Sequence, residues 1–175
     1  LEALKNGKDV VTANKALLAT HGKEIFEAAN SYGRSVFFEA AVAGGIPIIK
    51  ALREGLAANQ ISKVQGLLNG TCNYILSSMH ESPVSFEKAL TTAQKLGFAE
   101  ADPTFDIEGL DAAPKLTILT CLAFGGALTL EPKYVTGITS VTATDIAIVK
   151  KLGFAIKLLA QTELKDTSTD YRVAP

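Results

Sequence analysis

A-Q-K-L-G-F-A-E-A-D-P-T-F-D-I-E-G-L-D-A-A-P-K, residues Ala93–Lys115, governs the reading of this 175-residue chain. Five carboxylates (Glu100, Asp102, Asp106, Glu108 and Asp111) lead up to a single lysine, Lys115, and the apolar run Leu116–Phe124 follows. Gly97 ends a helical pattern and Asp102-Pro103 signals a turn. Asp111 and Lys115 are four residues apart, so on a helix they share a face. Acids that hold an ammonium group, beside a lysine that moves a proton, suit a site for a small amino acid. The same residues also fit a plain structural role. Asp102-Pro103 can simply begin a helix, and Asp111–Lys115 can be a surface ion pair.

Working outward, Ser85–Leu96 is an amphipathic helix with Ser85 as N-cap and Gly97 as C-cap. Glu108–Phe124 reads as a long central helix. Pro114 conflicts with that start, because an interior proline removes a helix bond and disfavours helix before it. The helix therefore begins nearer Ala113 or kinks there. Upstream, Leu1–Asn6 reads as a helix end closed by Gly7, Asp9–Ala13 as a strand, and Lys15–Tyr32 as a helix stopped by Gly33. Ser35–Ala41 is a buried strand running into Gly44-Gly45. Pro47 opens a helix to about Gly55. Ile61–Leu68 is a strand, and Asn69-Gly70 turns into a helix over Thr71–Met79. Downstream, Lys133–Val141 and Phe154–Thr162 read as strands, Thr144–Leu152 as a helix capped by Thr144, and Lys165–Pro175 as a weakly structured tail. The fold class is α/β. The end of a Rossmann-like unit over residues 1–40 precedes an α+β unit over 41–175, a mixed sheet covered by helices.

Formal charge is −1, which gives no electrostatic case for nucleic acid or an anionic membrane. Tryptophan is absent and aromatics make up 7% of the chain, which argues against a base-stacking surface. No apolar run approaches the roughly 20 residues of a membrane helix. Cys72 and Cys121 lack metal-ligand spacing and read as small buried hydrophobes in a reducing cytoplasm.

The quoted stretch resembles the signature of the homoserine dehydrogenases. Ala93, Gly97, Phe98, Ala99, Asp102, Pro103, Asp106, Ile107, Gly109, Asp111 and Lys115 fill its fixed positions. V-V-T-A-N-K (Val10–Lys15), F-E-A-A-V-A-G-G-I-P (Phe38–Pro47) and G-L-L-N-G-T-C-N-Y-I (Gly66–Ile75) resemble the family too, in its order. The resemblance implies reversible hydride transfer between L-homoserine and aspartate 4-semialdehyde with NAD(P), on the route to threonine, methionine and isoleucine, in a cytoplasmic homodimer formed through the sheet. It implies Lys115, then Lys15, as the catalytic proton carriers. Glu100 and Asp111 would meet the substrate ammonium, Asp106 would hold Lys115 or the substrate hydroxyl, and Gly70 and Thr71 would touch the substrate. Asn14 and Lys15 would face the cofactor, at a strand C-terminal end where such sheets bind ligands. Glu39 with the carbonyls of Val42, Gly44 and Ile46 would hold a monovalent cation, Na+; a Gly-rich hinge is the competing reading of that segment.

No G-x-G-x-x-G occurs, and the chain begins inside the helical pattern L-E-A-L-K-N-G-K without Met. The expectation is a C-terminal piece of a longer enzyme, lacking most of the nucleotide domain and inactive alone. Two other readings stay open. One is a non-catalytic binding or assembly module on the same fold. The other is an aspartate-semialdehyde dehydrogenase, which would need a Cys thiolate beside a base. The histidines, His21 and His80, give no such partner from sequence.

Overall fold

In the computed structural model, which describes residues 1–125, 134–165 and 168–175, two small sheets are separated by one long buried helix. Helix α1 (Glu2–Lys5) leads into strand β1 (Val10–Val11), helix α2 (Lys15–Ser31) and strand β2 (Val36–Phe37). β1 and β2 run parallel, Val10 opposite Val36 and Val11 opposite Phe37. That is a βαβ crossover, which needs a helix between its strands. Asn14 caps α2 by accepting the Leu17 amide at 3.0 Å. The expected strand over Ser35–Ala41 stops early, because residues Glu39–Ala41 close into a 3-10 turn.

Helix α3 (Ile48–Lys50) continues as a wider turn over Ala51–Gly55, where the Leu56 amide reaches the Ala51 carbonyl. Strand β3 (Lys63–Gly66) is followed by helices α4 (Gly70–Glu81), α5 (Phe86–Lys95), α6 (Thr104–Ile107) and α7 (Ala112–Phe124). The long helix expected from Glu108 starts instead at Ala112, beside the alternative start near Ala113, and the short helix α6 precedes it. Gly109, at φ 79°, makes the break between them. Pro114 falls in the first turn of α7, where its missing N–H costs nothing.

Helix α8 (Ala143–Lys151) begins one residue earlier than expected. Thr142, not Thr144, is its cap, in a reciprocal box with Asp145. Strands β4 (Leu159–Lys165) and β5 (Ser168–Ala174) complete an antiparallel sheet in the order β3-β4-β5. Two expectations fail here. The tail from Lys165 is not weakly structured: its described residues form a strand, with Thr169, Tyr171 and Val173 alternating inward. Residues 134–141 are not a strand. They touch the antiparallel sheet through one isolated parallel bridge, Val135 to Val173, and Lys133 lies outside the described residues.

Helix α7 is buried on nearly every side from Leu116 to Thr120. Its Thr117 and Thr120 hydroxyls are satisfied by the carbonyls four residues back, those of Ala113 and Leu116. Leu116 belongs to the core formed by Cys72, Ile75, Leu76, Ile138, Leu158 and Val173. Ile118 and Leu119 belong to the other core, with Leu4, Leu18, Val36, Val42, Ile49 and Leu52. The helix therefore joins the two cores, and its N-terminus lies at their seam. Among the described residues no helix is long and apolar enough to cross a membrane.

Candidate active site

Asp111, the N-cap residue of α7, is 8% exposed. Its Oδ2 accepts from the Lys115 ammonium at 2.6 Å and from the Asn69 amide at 2.9 Å. Its Oδ1 lies 3.2 Å from the Lys15 ammonium. Lys115 also donates to the Leu68 carbonyl at 2.8 Å. An ammonium has three N–H donors, so Lys115 keeps one for another acceptor. The two lysines expected to move protons thus come from different helices, α2 and α7, and share one carboxylate.

Burial pushes the Asp111 carboxyl up, but hydrogen bonds from Lys115 and Asn69 and the charge of the lysines outweigh it, leaving the group below its usual range. Asp111 is therefore a carboxylate at neutral pH. Its place at the start of α7 adds the favourable end of the helix dipole.

Asp106, on α6, does not hold Lys115. Its Oδ1 accepts from the Asn69 amide at 2.6 Å and its Oδ2 from the Thr71 hydroxyl at 3.0 Å. Thr71 also reaches the Phe98 carbonyl at 2.7 Å, so its single proton is shared inside the protein. Gly70 and Thr71 form the first turn of α4, where backbone amides lack intrahelical acceptors. Glu100 stands apart: it is exposed, and its described bond is through its backbone carbonyl, to Gln94 at 3.1 Å. Asp102 stands just before Pro103, the N-cap of α6, and accepts from the Thr104 amide and hydroxyl. These bonds lower its carboxyl from the ordinary value, and it is a structural residue.

Asn69 is the site residue that sequence reasoning missed. Its place before a helix marked it as a turn residue, and it does cap α4 by accepting the Cys72 amide at 2.8 Å. Nothing local shows that its amide also spans 37 and 42 residues to two aspartates.

Just past β1, Asn14 uses its Oδ1 as a cap, and its Nδ2 makes no bond among the described residues. Lys15 begins α2 just past β1. An amide N–H and an ammonium there are donors able to bond the polar groups of a cofactor. The Gly-rich turn for its pyrophosphate is not among the 175 residues.

Glu39 has a role the sequence reading did not give it. Its two oxygens accept the Ile49 and Lys50 amides at 2.8 and 2.9 Å, which anchors α3. Ala43 and Gly44 both have left-handed backbone, φ 58° and 57°. The Ile46 carbonyl takes the Ile48 amide, whereas those of Val42 and Gly44 accept no bond among the described residues. Oxygens of this kind suit a hard cation in part, with the Glu39 oxygens retaining further lone pairs. Among the described residues no three His, Cys, Asp or Glu side chains gather as a metal site.

A cavity of about 1000 Å³ lies elsewhere, walled by α2, β2 and the far face of α7, and contains neither Asp111 nor either lysine. Converging chemistry, not volume, marks the site. Cys72 is no nucleophile: burial first, then the charges of Asp106 and Asp111, push its thiol up to about 12. Its Sγ donates to the Asp106 carbonyl at 3.1 Å. Titration of the native chain with a disulfide reagent at pH 8 is expected to label Cys121, which is half-exposed, and to spare Cys72. Rapid labelling of Cys72 would restore the thiol mechanism of an aspartate-semialdehyde dehydrogenase.

Comparison with known proteins accords with this arrangement. The family model described as homoserine dehydrogenase matches residues 47–175, and that described as homoserine dehydrogenase, NAD binding domain, matches residues 1–39. The homoserine dehydrogenase of Pseudomonas aeruginosa is 53% identical over 175 residues, all of this chain and 40% of the relative. That of Bacillus subtilis is 45% identical over the same span, again 40% of the relative. Among solved structures, a homoserine dehydrogenase from Thiobacillus denitrificans matches with a TM-score of 0.93 and 53% identity, over 98% of this chain and 40% of that one. A hyperthermophilic archaeal homoserine dehydrogenase in complex with NADPH matches with a TM-score of 0.79 and 29% identity, over 98% of this chain and 50% of that one. The chain thus spans about 40% of the length of these curated relatives. With the signature residues gathered around one buried aspartate and both family models matching along its length, the chain belongs to the homoserine dehydrogenase family.

Proposed function

We propose that the Asp111 cluster is the substrate half of a site for reversible, NAD(P)-dependent hydride transfer between L-homoserine and aspartate 4-semialdehyde. The observation that carries this reading is the single buried carboxylate bonded to Lys115 and Lys15. Nicotinamide, when bound, supplies the hydride acceptor or donor at the alcohol carbon. The oxygen on that carbon must lose or gain a proton at the same time. Lys115 holds its free N–H at the buried end of the cluster and serves that oxygen. Lys15, more exposed, exchanges the proton with solvent through Asp111. Glu100, with its exposed carboxylate, and Asp111 receive the substrate α-ammonium, and the first-turn amides of Gly70 and Thr71 suit the α-carboxylate.

The wider reading follows from the same resemblance. The reaction serves the threonine, methionine and isoleucine route in the cytoplasm, a compartment in keeping with two free cysteines. The face of β3–β4–β5 turned away from α7 carries Lys63, Glu163 and Asp170 in one row and Gln65, Gln161 and Arg172 in the next. This face suits a homodimer contact with a second copy. The Glu39 loop, with the Val42 and Gly44 carbonyls, is the place for a monovalent cation such as Na+.

Calorimetric titration of L-homoserine into the chain tests the reading. Wild-type protein is expected to bind, Asp111→Ala to weaken binding at least about tenfold through loss of a charge-assisted contact, and Lys115→Ala to weaken it less. Wild-type protein that binds no L-homoserine, or an Asp111→Ala variant with unchanged affinity, would overturn it.

A further inference from the structure

Asn69 is 5% exposed, and three of the four hydrogen-bonding positions of its amide are filled. The oxygen accepts the Cys72 amide, and the two N–H bonds go to different acids, Asp106 Oδ1 and Asp111 Oδ2. Turning the amide over would set its oxygen against two carboxylates and its N–H groups against a third N–H. One orientation alone is satisfied, and it is fixed from α4, α6 and α7 together.

That orientation constrains Asp111. The carboxylate has two oxygens and three cationic or amide neighbours: Asn69 and Lys115 on Oδ2, Lys15 on Oδ1. Without the Asn69 bond, the carboxylate is free to rotate and face Lys115 with both oxygens, a geometry that releases Lys15. The amide also stands between the carboxylates of Asp106 and Asp111 and offsets the repulsion of like charges brought to one buried place.

We propose that Asn69 is a positioning residue which sets the carboxylate plane of Asp111 so that each oxygen faces a different lysine. It acts through Asp111 and has no direct part in the chemistry. The inference extends the proposed function, and only its binding arm rests on that reading. Every charged or titratable group bonded within the cluster is named: Lys15 from α2, Cys72 from α4, Asp106 from α6, and Asp111 and Lys115 from α7.

The test separates the two jobs of Asn69. Asn69→Ser retains an oxygen able to cap α4 but cannot donate to both acids. Asn69→Gly weakens a helix cap only slightly and removes both donors without adding a charge. In the 175-residue chain, labelled for carboxyl carbon NMR and assigned with Asp111→Asn, both variants are expected to keep most of the wild-type thermal midpoint. The Asp111 titration should nevertheless rise by about one pH unit, and L-homoserine affinity should fall about tenfold. A role in capping alone predicts the reverse, a lowered midpoint with the Asp111 titration unmoved, and that result overturns the proposal. The titration arm decides the matter even where wild-type protein binds no L-homoserine, an outcome that bears on the proposed function alone.

Discussion

Asp111→Ala is expected to destabilise the chain by about 2–4 kcal/mol at neutral pH, and the difference is expected to vanish in acid. Among the described residues, removing the carboxylate leaves Lys15 without its ion-pair partner, Lys115 with the Leu68 carbonyl alone, and one N–H of a buried amide unanswered. Breaking a buried pair from one side costs about 3–5 kcal/mol, because the surviving charge stays behind. Here the lysine side chains are 32% and 18% exposed, so water recovers part of the loss and the lower figure applies. The sign of the pH dependence follows from the lowered Asp111 carboxyl. A group whose folded value lies below its unfolded value of about 3.9 stabilises the fold above that pH. The contribution disappears as pH falls through the lower folded value. Denaturant unfolding of both proteins from pH 7 to pH 2 checks this. A gap that stays constant to pH 2 would mean that Asp111 contributes through packing and not through charge.

Gly137→Ala is expected to be at least as damaging, though its side chain would be one methyl. A Cβ at position 137 would overlap the Ile107 carbonyl oxygen and lie 2.5 Å from Glu108 Cα, both backbone atoms. Backbone cannot rotate away as a side chain can, so the two segments must separate. Overpacking costs about 1–3 kcal/mol where side chains yield, and this case lies at or beyond the upper end. About 3 kcal/mol lowers the thermal midpoint of a chain this size by roughly 6–12 °C. The Ile138 amide also binds the Ile107 carbonyl at 2.7 Å, so displacing one loses the other. Asp106 precedes Ile107, and its bonds to Asn69 and Thr71 should loosen with it. Gly45→Ala, with open space at its Cβ, serves as the control and should change the midpoint little. Equal midpoints for the two variants would falsify the account.

What the sequence disclosed divides by distance along the chain. Ser85 before α5, Asn69 before α4 and the Gly33 stop after α2 follow from neighbours within a turn, and all were legible. The pairing of Asp111 with Lys115 was legible for the same reason. Thr142 was locally encoded too, since Asp145 completes its box, but Thr144 competed as a cap of the same type. β5 was missed because its outward residues, Ser168, Asp170 and Arg172, dilute the alternation of Thr169, Tyr171 and Val173. In the segment 133–141 the alternation misled, because Gly137 fits against the backbone of a helix thirty residues earlier. Glu39 as a cap, and the amide of Asn69 on two acids, depend on partners ten to 42 residues away. Pattern within a window has no access to such pairs.

The order of the second sheet has a consequence for how the protein is made. β3 lies mid-chain, yet its sole described strand partner is β4, and Lys63 pairs with Glu163 a hundred residues later. β4 is in turn held by β5, which ends at Ala174. During synthesis the Asn69–Asp106–Asp111 cluster therefore leaves the ribosome well before the sheet that backs it can close. Loop closure over such a span is slow and entropically costly before any contact rewards it. The groups around Asp111 wait, partly assembled, for β4 and β5 to emerge.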